Sequence, residues 1–187
     1  TPGLAMFYGG LVRKKNVVNT MMTSIFIIGV GIVMWVLFGY SLSFAPSGNA
    51  FIGDFRWLGL EGVSLTEGYT DDASIPNMVF SAFQMMFAVI TPALITGAVA
   101  GRMKFKSIFV FTIFWSLIVY YPLAHMVWGQ GGLLGADGIG ALDFAGGDVV
   151  HISSGVSALV LCILLGKRHD YEHSIYRIHN IPTVVLG

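Results

Sequence analysis

Residues 143–155 read DFAGGDVVHISSG and carry Asp143, Asp148 and His151 into the uncharged run SALVLCILLG. An imidazole changes its charge near neutral pH and can pass a proton between its two ring nitrogens. A carboxylate just ahead of a helix accepts backbone N–H groups and meets the positive end of the helix dipole, so Asp143 is a candidate N-terminal cap. The same carboxylate would stabilise a cation held at that helix end, and the two roles are compatible. For Asp148 no role follows from its position. Phe83 and Phe87 stand four apart, on one face of a helix, and Trp128 closes a later apolar run that also holds Tyr120 and Tyr121. Such rings form interfacial belts in membrane proteins. A tryptophan face also attracts a partly desolvated cation by roughly 0.5–2 kcal/mol.

The elements that must hold these residues follow from composition. The 187 residues are 55% hydrophobic and only 11% charged, with a mean hydropathy of +0.76, which describes a membrane protein rather than a soluble domain. Four uncharged stretches, residues 17–44, 75–100, 108–128 and 149–166, reach the roughly 20 residues a helix needs to cross a bilayer. Residues 1–12 and 178–187 read as partial spans. The chain therefore reads as a single transmembrane domain within 1–187, cut from a longer polypeptide. The ten basic and ten acidic residues cancel, so nothing points to nucleic acid.

Charge sets the orientation. Arg13, Lys14 and Lys15, then Arg102, Lys104 and Lys106, then Lys167, Arg168 and Arg177 fall in alternate loops, and Lys and Arg mark the cytoplasmic side. Residues 45–74 are then external, with Arg56 the one basic residue there. Asp54, Glu61, Glu67, Asp71, Asp72, Asp137, Asp143 and Asp148 put eight of the ten carboxylates at the outer face. A solvated acidic loop is the simpler reading of that excess, and mild enrichment of cations the stronger one.

Each of these features also has a plainer reading. Gly97 and Gly101, and Ser154 and Ala158, have the spacing that lets helices approach closely in lipid. Cys162 reads as a small buried hydrophobe. An ionisable group inside a span is expensive and faces protein or a pore, so His151 is either a histidine satisfied within a helix bundle or a functional one. His125 and His151 would also suit haem ligation if their depths matched. No nucleophile, base and orienting group converge in a catalytic pattern, so an enzyme is not expected.

Taken in order, TPGLAMFYGGLVRKKN, AFQMMFAVITPALITGAVAGRMKF, YPLAHMVWG and ALDFAGGDVVHISSG resemble the Amt/Mep/Rh ammonium transporter family across essentially the whole chain. The methionine-rich FQMMFAVITPALITG looks more like the Amt/Mep branch than the Rh branch. The resemblance implies an all-α, polytopic transmembrane helix bundle. It would be most of the first five-helix repeat of an eleven-helix inverted-repeat fold that assembles as a homotrimer. It also implies a multi-pass location in the plasma membrane or bacterial inner membrane, contact with lipid, and regulation by a cytoplasmic trimeric protein. No cofactor or metal is implied.

Carried over by the resemblance, Trp128 matches the tryptophan of an outer ammonium recruitment site. Phe83 and Phe87 match the stacked phenylalanines beneath it, Asp143 the aspartate that shapes it, and His151 the first of two histidines in a hydrophobic lumen. Gly101 stands where an acidic residue is common and Asp148 where threonine is frequent, which leaves an inner-face contact and the packing beside Asp143 open. The implied function is ammonium transport: recruitment of the cation, deprotonation, and conduction of ammonia past histidine. The alternative is an ammonium sensor or transceptor using the same site.

Overall fold

Hydrocarbon offers the backbone no water, so a crossing segment must satisfy its own N–H and C=O groups, and a helix does. The computed structural model describes the whole chain except Ser47, Asp137, His169, Asp170, His173, Ser174 and Tyr176. Asp137, one of the outer carboxylates counted above, thus lies outside the described residues. The chain folds into α1 (Pro2–Leu11), α2 (Lys14–Phe44), α3 (Asn77–Val99), α4 (Phe105–Trp128), α5 (Gly147–Leu165) and α6 (Ile181–Leu186). Among the described residues no β-strand forms, and α2 to α5 are the four helices long and apolar enough to cross a membrane. With 31 residues, α2 is about 46 Å long. That exceeds the roughly 30 Å hydrocarbon core, so α2 must tilt or project.

The helix ends fall within a few residues of the apolar runs, and local chemistry explains the offsets. α3 stops at Val99 because Gly101 has φ +72°, the left-handed conformation that terminates helices and favours glycine. Gly101 therefore serves as a stop, and it also permits the close approach its spacing from Gly97 suggested, since a Cβ there would lie 3.0 Å from the Asn16 side chain. Gly97 does permit a close approach: a Cβ there would lie 2.5 Å from the Tyr8 ring. α2, α4 and α5 each contain a wide π turn, at Trp35–Gly39, Ser116–Tyr120 and Gly147–Ile152.

The chain forms two compact units. Residues 1–30, 89–112 and 154–187 form one, with Ile27, Ala93, Val99 and Ile108 at its core. Tyr8 donates its hydroxyl to the Leu94 carbonyl at 2.8 Å. The backbone N–H groups of His179 and Asn180 donate to the Gly10 carbonyl, tying the start of α6 to the end of α1. Arg102 donates to the Gly166 carbonyl at 2.7 Å and to the Cys162 sulfur at 2.9 Å, covering the C-terminal end of α5. Cys162 is thus half-buried and bonded to a guanidinium, which the reading as a plain buried hydrophobe did not anticipate.

Residues 31–88 and 113–153 form the second unit. Its centre is aromatic. Trp35 stands between Tyr40, Phe44 and Tyr121, and Tyr40 stacks on Trp57, while Phe44 meets Tyr69 and Phe80 edge-on. The Trp35 indole donates to the carbonyl and hydroxyl oxygens of Ser81, a side-chain link between α2 and α3 of the kind that contributes about 0.6–2 kcal/mol between helices in lipid. Tyr120 and Tyr121 are 0% and 1% exposed. They are core residues, not members of an interfacial belt. Nine of the ten Lys and Arg residues belong to the first unit, and seven of the eight described carboxylates to the second.

The Tyr8 seat yields a test. Gly97→Leu should lower the midpoint of thermal unfolding in detergent, because overpacking of this kind costs about 1–3 kcal/mol. Gly97→Leu combined with Tyr8→Ala should recover part of the loss.

Candidate functional site

All five residues singled out in the sequence belong to the second unit. Phe83 and Phe87 lie one turn apart on α3, with ring centroids 5.0 Å apart and planes at 83°. Phe87 meets Trp128 at 5.9 Å and 62°. Both pairs have the edge-to-face geometry that aromatic quadrupoles favour. The stack is open at one end: Phe83 is 53% exposed, while Phe87 and Trp128 are half-buried.

Asp143 caps α5 more fully than a single hydrogen bond would. One carboxylate oxygen accepts the Gly147 N–H at 2.7 Å, and the other accepts those of Asp148 and Val149 at 3.1 Å. Three of the four amides that a helix start leaves without partners are thereby satisfied by one charged acceptor. Gly146, at φ +79°, makes the turn into the helix. A Cβ on Gly146 would stand 3.9 Å from the Trp128 ring, so the capped end of α5 and the tryptophan are neighbours. Asp148 enters the cap through its backbone N–H alone, and the residue type at that position leaves the cap intact.

His151 follows in the wide first turn of α5, its N–H donating to the Gly146 carbonyl at 3.0 Å, five residues back. Its side chain is exposed on this chain. Ile152, Val156, Leu159 and Ile163, further along α5, are exposed as well, so the imidazole belongs to an otherwise apolar surface.

Two residues that the sequence reading did not assign to the site hold the Trp128 turn. His125, three positions before Trp128, is 1% exposed. Its Nδ1 lies 3.1 Å from the Ser43 carbonyl and its Nε2 2.9 Å from the Asn49 carbonyl. Both ring nitrogens are enclosed, which closes the haem reading for this histidine. The second residue is Tyr69, whose hydroxyl accepts the Gln130 N–H at 3.1 Å and whose carbonyl accepts the Gln130 side-chain amide at 2.9 Å. Burial pushes the Tyr69 phenol up to about 12, moderated by the Gln130 N–H. The spacing of His125 from Trp128 was visible in AHMVWG. Tyr69 lies 61 positions from Gln130 and carried no such signal.

The segment between α2 and α3 is bound down in its first part, while Glu61, Glu67, Asp71 and Asp72 further along it are exposed. Ser41 donates to the Asp54 carbonyl and accepts the Trp57 N–H. Gly53 donates to the Leu42 carbonyl at 2.7 Å so closely that a Cβ on Gly53 would lie 2.5 Å from the Ser41 oxygen.

Residues 1–187 match the family model described as Ammonium Transporter Family. An ammonium transporter of Bacillus subtilis (strain 168) is 53% identical over 187 residues, which are 100% of this chain and 45% of that protein. The crystal structure of Candida albicans Mep2 is similar with a TM-score of 0.85 and 35% identity, over 99% of this chain and 41% of that one. A structure described as a sensor Amt protein is 26% identical with a TM-score of 0.80, over 98% of this chain and 46% of its own. The chain spans less than half the length of these proteins.

Two measurements probe this geometry. Asp143→Ala should accelerate hydrogen exchange at the Gly147 to Val149 amides and lower stability by about 1–3 kcal/mol, with Asp143→Asn intermediate. For Tyr69, a folded-state value of about 12 lies above the ordinary phenol value near 10. The stabilisation is therefore complete below pH 10 and is lost as pH rises through about 12, an alkaline transition that Tyr69→Phe should remove from an absorbance titration.

Proposed function

Because the chain belongs to the ammonium transporter family and holds four membrane-length helices, it is part of a multi-pass membrane protein, and we propose that it supplies the outer recruitment site and one wall of an ammonium-conducting pore. The observation that carries this reading is the ring stack from Phe83 through Phe87 to Trp128, beside the helix end that Asp143 caps.

Ammonium and potassium have nearly the same radius and charge, so a pore reading only those two properties would leak potassium. Ammonium alone can lose a proton and cross an apolar constriction without the several kcal/mol penalty of a buried ion. In the proposed sequence of events, the Trp128 face attracts the cation from the outer side. The Asp143 carboxylate stabilises the capped helix end next to it. Phe83 and Phe87 exclude hydrated ions, and His151 offers ammonia a hydrogen-bonding partner in the lumen beyond. An imidazole facing lipid would be costly, so its exposure on α5 supports a lumen closed by a further part of the polypeptide, where the family resemblance implies a second histidine. If the proton moves with ammonia, the membrane potential contributes about 2.3 kcal/mol per 100 mV.

The same reading includes a homotrimer, a cell membrane location and regulation by a cytoplasmic trimeric protein. An ammonium sensor using this site is the second reading, supported by the likeness to a sensor Amt protein. Transport ranks first because the identity is 53% with a transporter and 26% with the sensor.

The test is ammonium flux into proteoliposomes carrying the native polypeptide. His151→Leu should abolish flux or admit potassium, and ammonium-selective flux at the parental rate in that variant would overturn the role of His151. Trp128→Ala should raise the KM by about 2- to 30-fold, the span that corresponds to a cation–π contact of 0.5–2 kcal/mol.

A further inference from the structure

The site's affinity depends on where the Trp128 ring stands, and Trp128 is the last residue of α4. A terminal residue has no following turn to hold it, and helix ends fray unless something outside the helix fixes them. His125 is on the same turn, three residues earlier, where side chains share a face. Its ring bridges two backbone carbonyls from another part of the chain: Ser43 in the last turn of α2, at 3.1 Å from Nδ1, and Asn49 in the outer segment, at 2.9 Å from Nε2. Because both acceptors are carbonyls, the ring donates to one of these two anchors whichever nitrogen carries the proton.

The surroundings leave this bridge little freedom. His125 is 1% exposed, and its own carbonyl accepts the Gly129 N–H at 2.9 Å. A Cβ on Gly129 would come within 2.7 Å of Nδ1 and 3.0 Å of the Ser43 oxygen, so a side chain after Trp128 would push the ring off its anchor. The Asn49 anchor is itself folded by its side chain, whose oxygen accepts the N–H groups of Phe51 and Ile52. The Ala50 carbonyl next to it accepts the Leu133 N–H at 2.9 Å, beyond the Trp128 turn. The outer segment and the end of α4 thus hold each other, with the imidazole as one side-chain link beside the Tyr69–Gln130 pair.

The geometry points to His125 as a positioning residue for the outer cation site: seated between the Ser43 and Asn49 carbonyls and donating to one of them, it holds the Trp128 turn in place and so sets the affinity for ammonium, without touching the cation. This inference rests on the reading of Trp128 as the recruitment residue.

The experiment measures the KM and maximal rate of ammonium flux in proteoliposomes for the native polypeptide, His125→Ala, His125→Gln and Trp128→Ala. His125→Ala should raise KM about tenfold with the maximal rate within about twofold, the split expected when recruitment alone is weakened. His125→Gln, whose amide nitrogen reaches the distance of Nε2, should return KM to within about threefold of the parent by restoring one donor to Asn49. An unchanged KM in folded His125→Ala, while Trp128→Ala raises it, overturns the positioning role and leaves the recruitment site standing. A fall in maximal rate at fixed KM, or a raised KM that Gln does not rescue, overturns it too, since general loss of packing is not repaired by one amide. If Trp128→Ala itself leaves KM unchanged, the recruitment reading has failed and the inference falls with it. Should His125→Ala not assemble, Gly129→Ala is read in its place, and an unchanged KM there overturns the proposal.

Discussion

A backbone amide or carbonyl without a partner in hydrocarbon costs several kcal/mol, and inside a helix the problem solves itself. At the ends it does not, because each end leaves four groups unmatched. The side chains that matter most in this chain are those that complete helix ends. Asp143 takes three amides at the start of α5, and Arg102 takes the Gly166 carbonyl at its other end. Asn180 accepts the Thr183 N–H at the start of α6. Both Asp143 and Arg102 are held by backbone that itself needs partners, although Arg102 Nε is buried without one among the described residues. One constraint therefore explains both the helices and the location of these two charges beside them.

The same accounting applies to the packing of the second unit. Lipid gives helices no hydrophobic incentive to associate, so packing and hydrogen bonds must do so. The aromatic cluster around Trp35 and Phe44 supplies contact area, and the Trp35 indole supplies a directed bond to Ser81. The outer segment then fastens to the helix ends through Ser41, Gly53, Tyr69 and His125. Trp128 is held at a defined height and angle because the residues on either side of it, His125 and Gln130, are both bonded to that segment.

Such a frame suits a site that must discriminate without binding tightly. A cation–π contact is weak, and it attracts potassium as well as ammonium. Under the proposed function it would recruit without selecting, and selection would fall to an apolar passage that only a neutral molecule crosses cheaply, for which a ring stack and an imidazole on an apolar helix surface are fitting components. The Phe87 and Trp128 rings touch one another, so under the proposed function attraction and exclusion would be a few ångströms apart.

Periodicity and run length made α2 to α5 legible because hydrocarbon thickness sets a length that no soluble helix needs. Asp143 was legible as a cap because a helix start has a chemical signature that is local in sequence, and Phe83 and Phe87 shared a face by spacing alone. Gly101 serves two ends at once, since a left-handed backbone at a helix end and a close approach, here by Asn16, both call for glycine, and the spacing alone showed only the second. Tyr120 and Tyr121 suit either the interface or a core by their place near a helix end, and only packing distinguishes the two: Tyr121 meets Trp35 and Gly39, and Tyr120 meets Trp115 and Tyr121. By itself, the sequence determined the helices, their charged ends, the cap and the shared face, all interactions within one element or its immediate flank. The tertiary structure alone decided the contact of Phe87 with Trp128, the enclosure of His125 by Ser43 and Asn49, and the hold of Tyr69 on Gln130. Those partners lie 41 to 82 positions apart, and nothing in a local pattern states which distant carbonyl a ring nitrogen will meet.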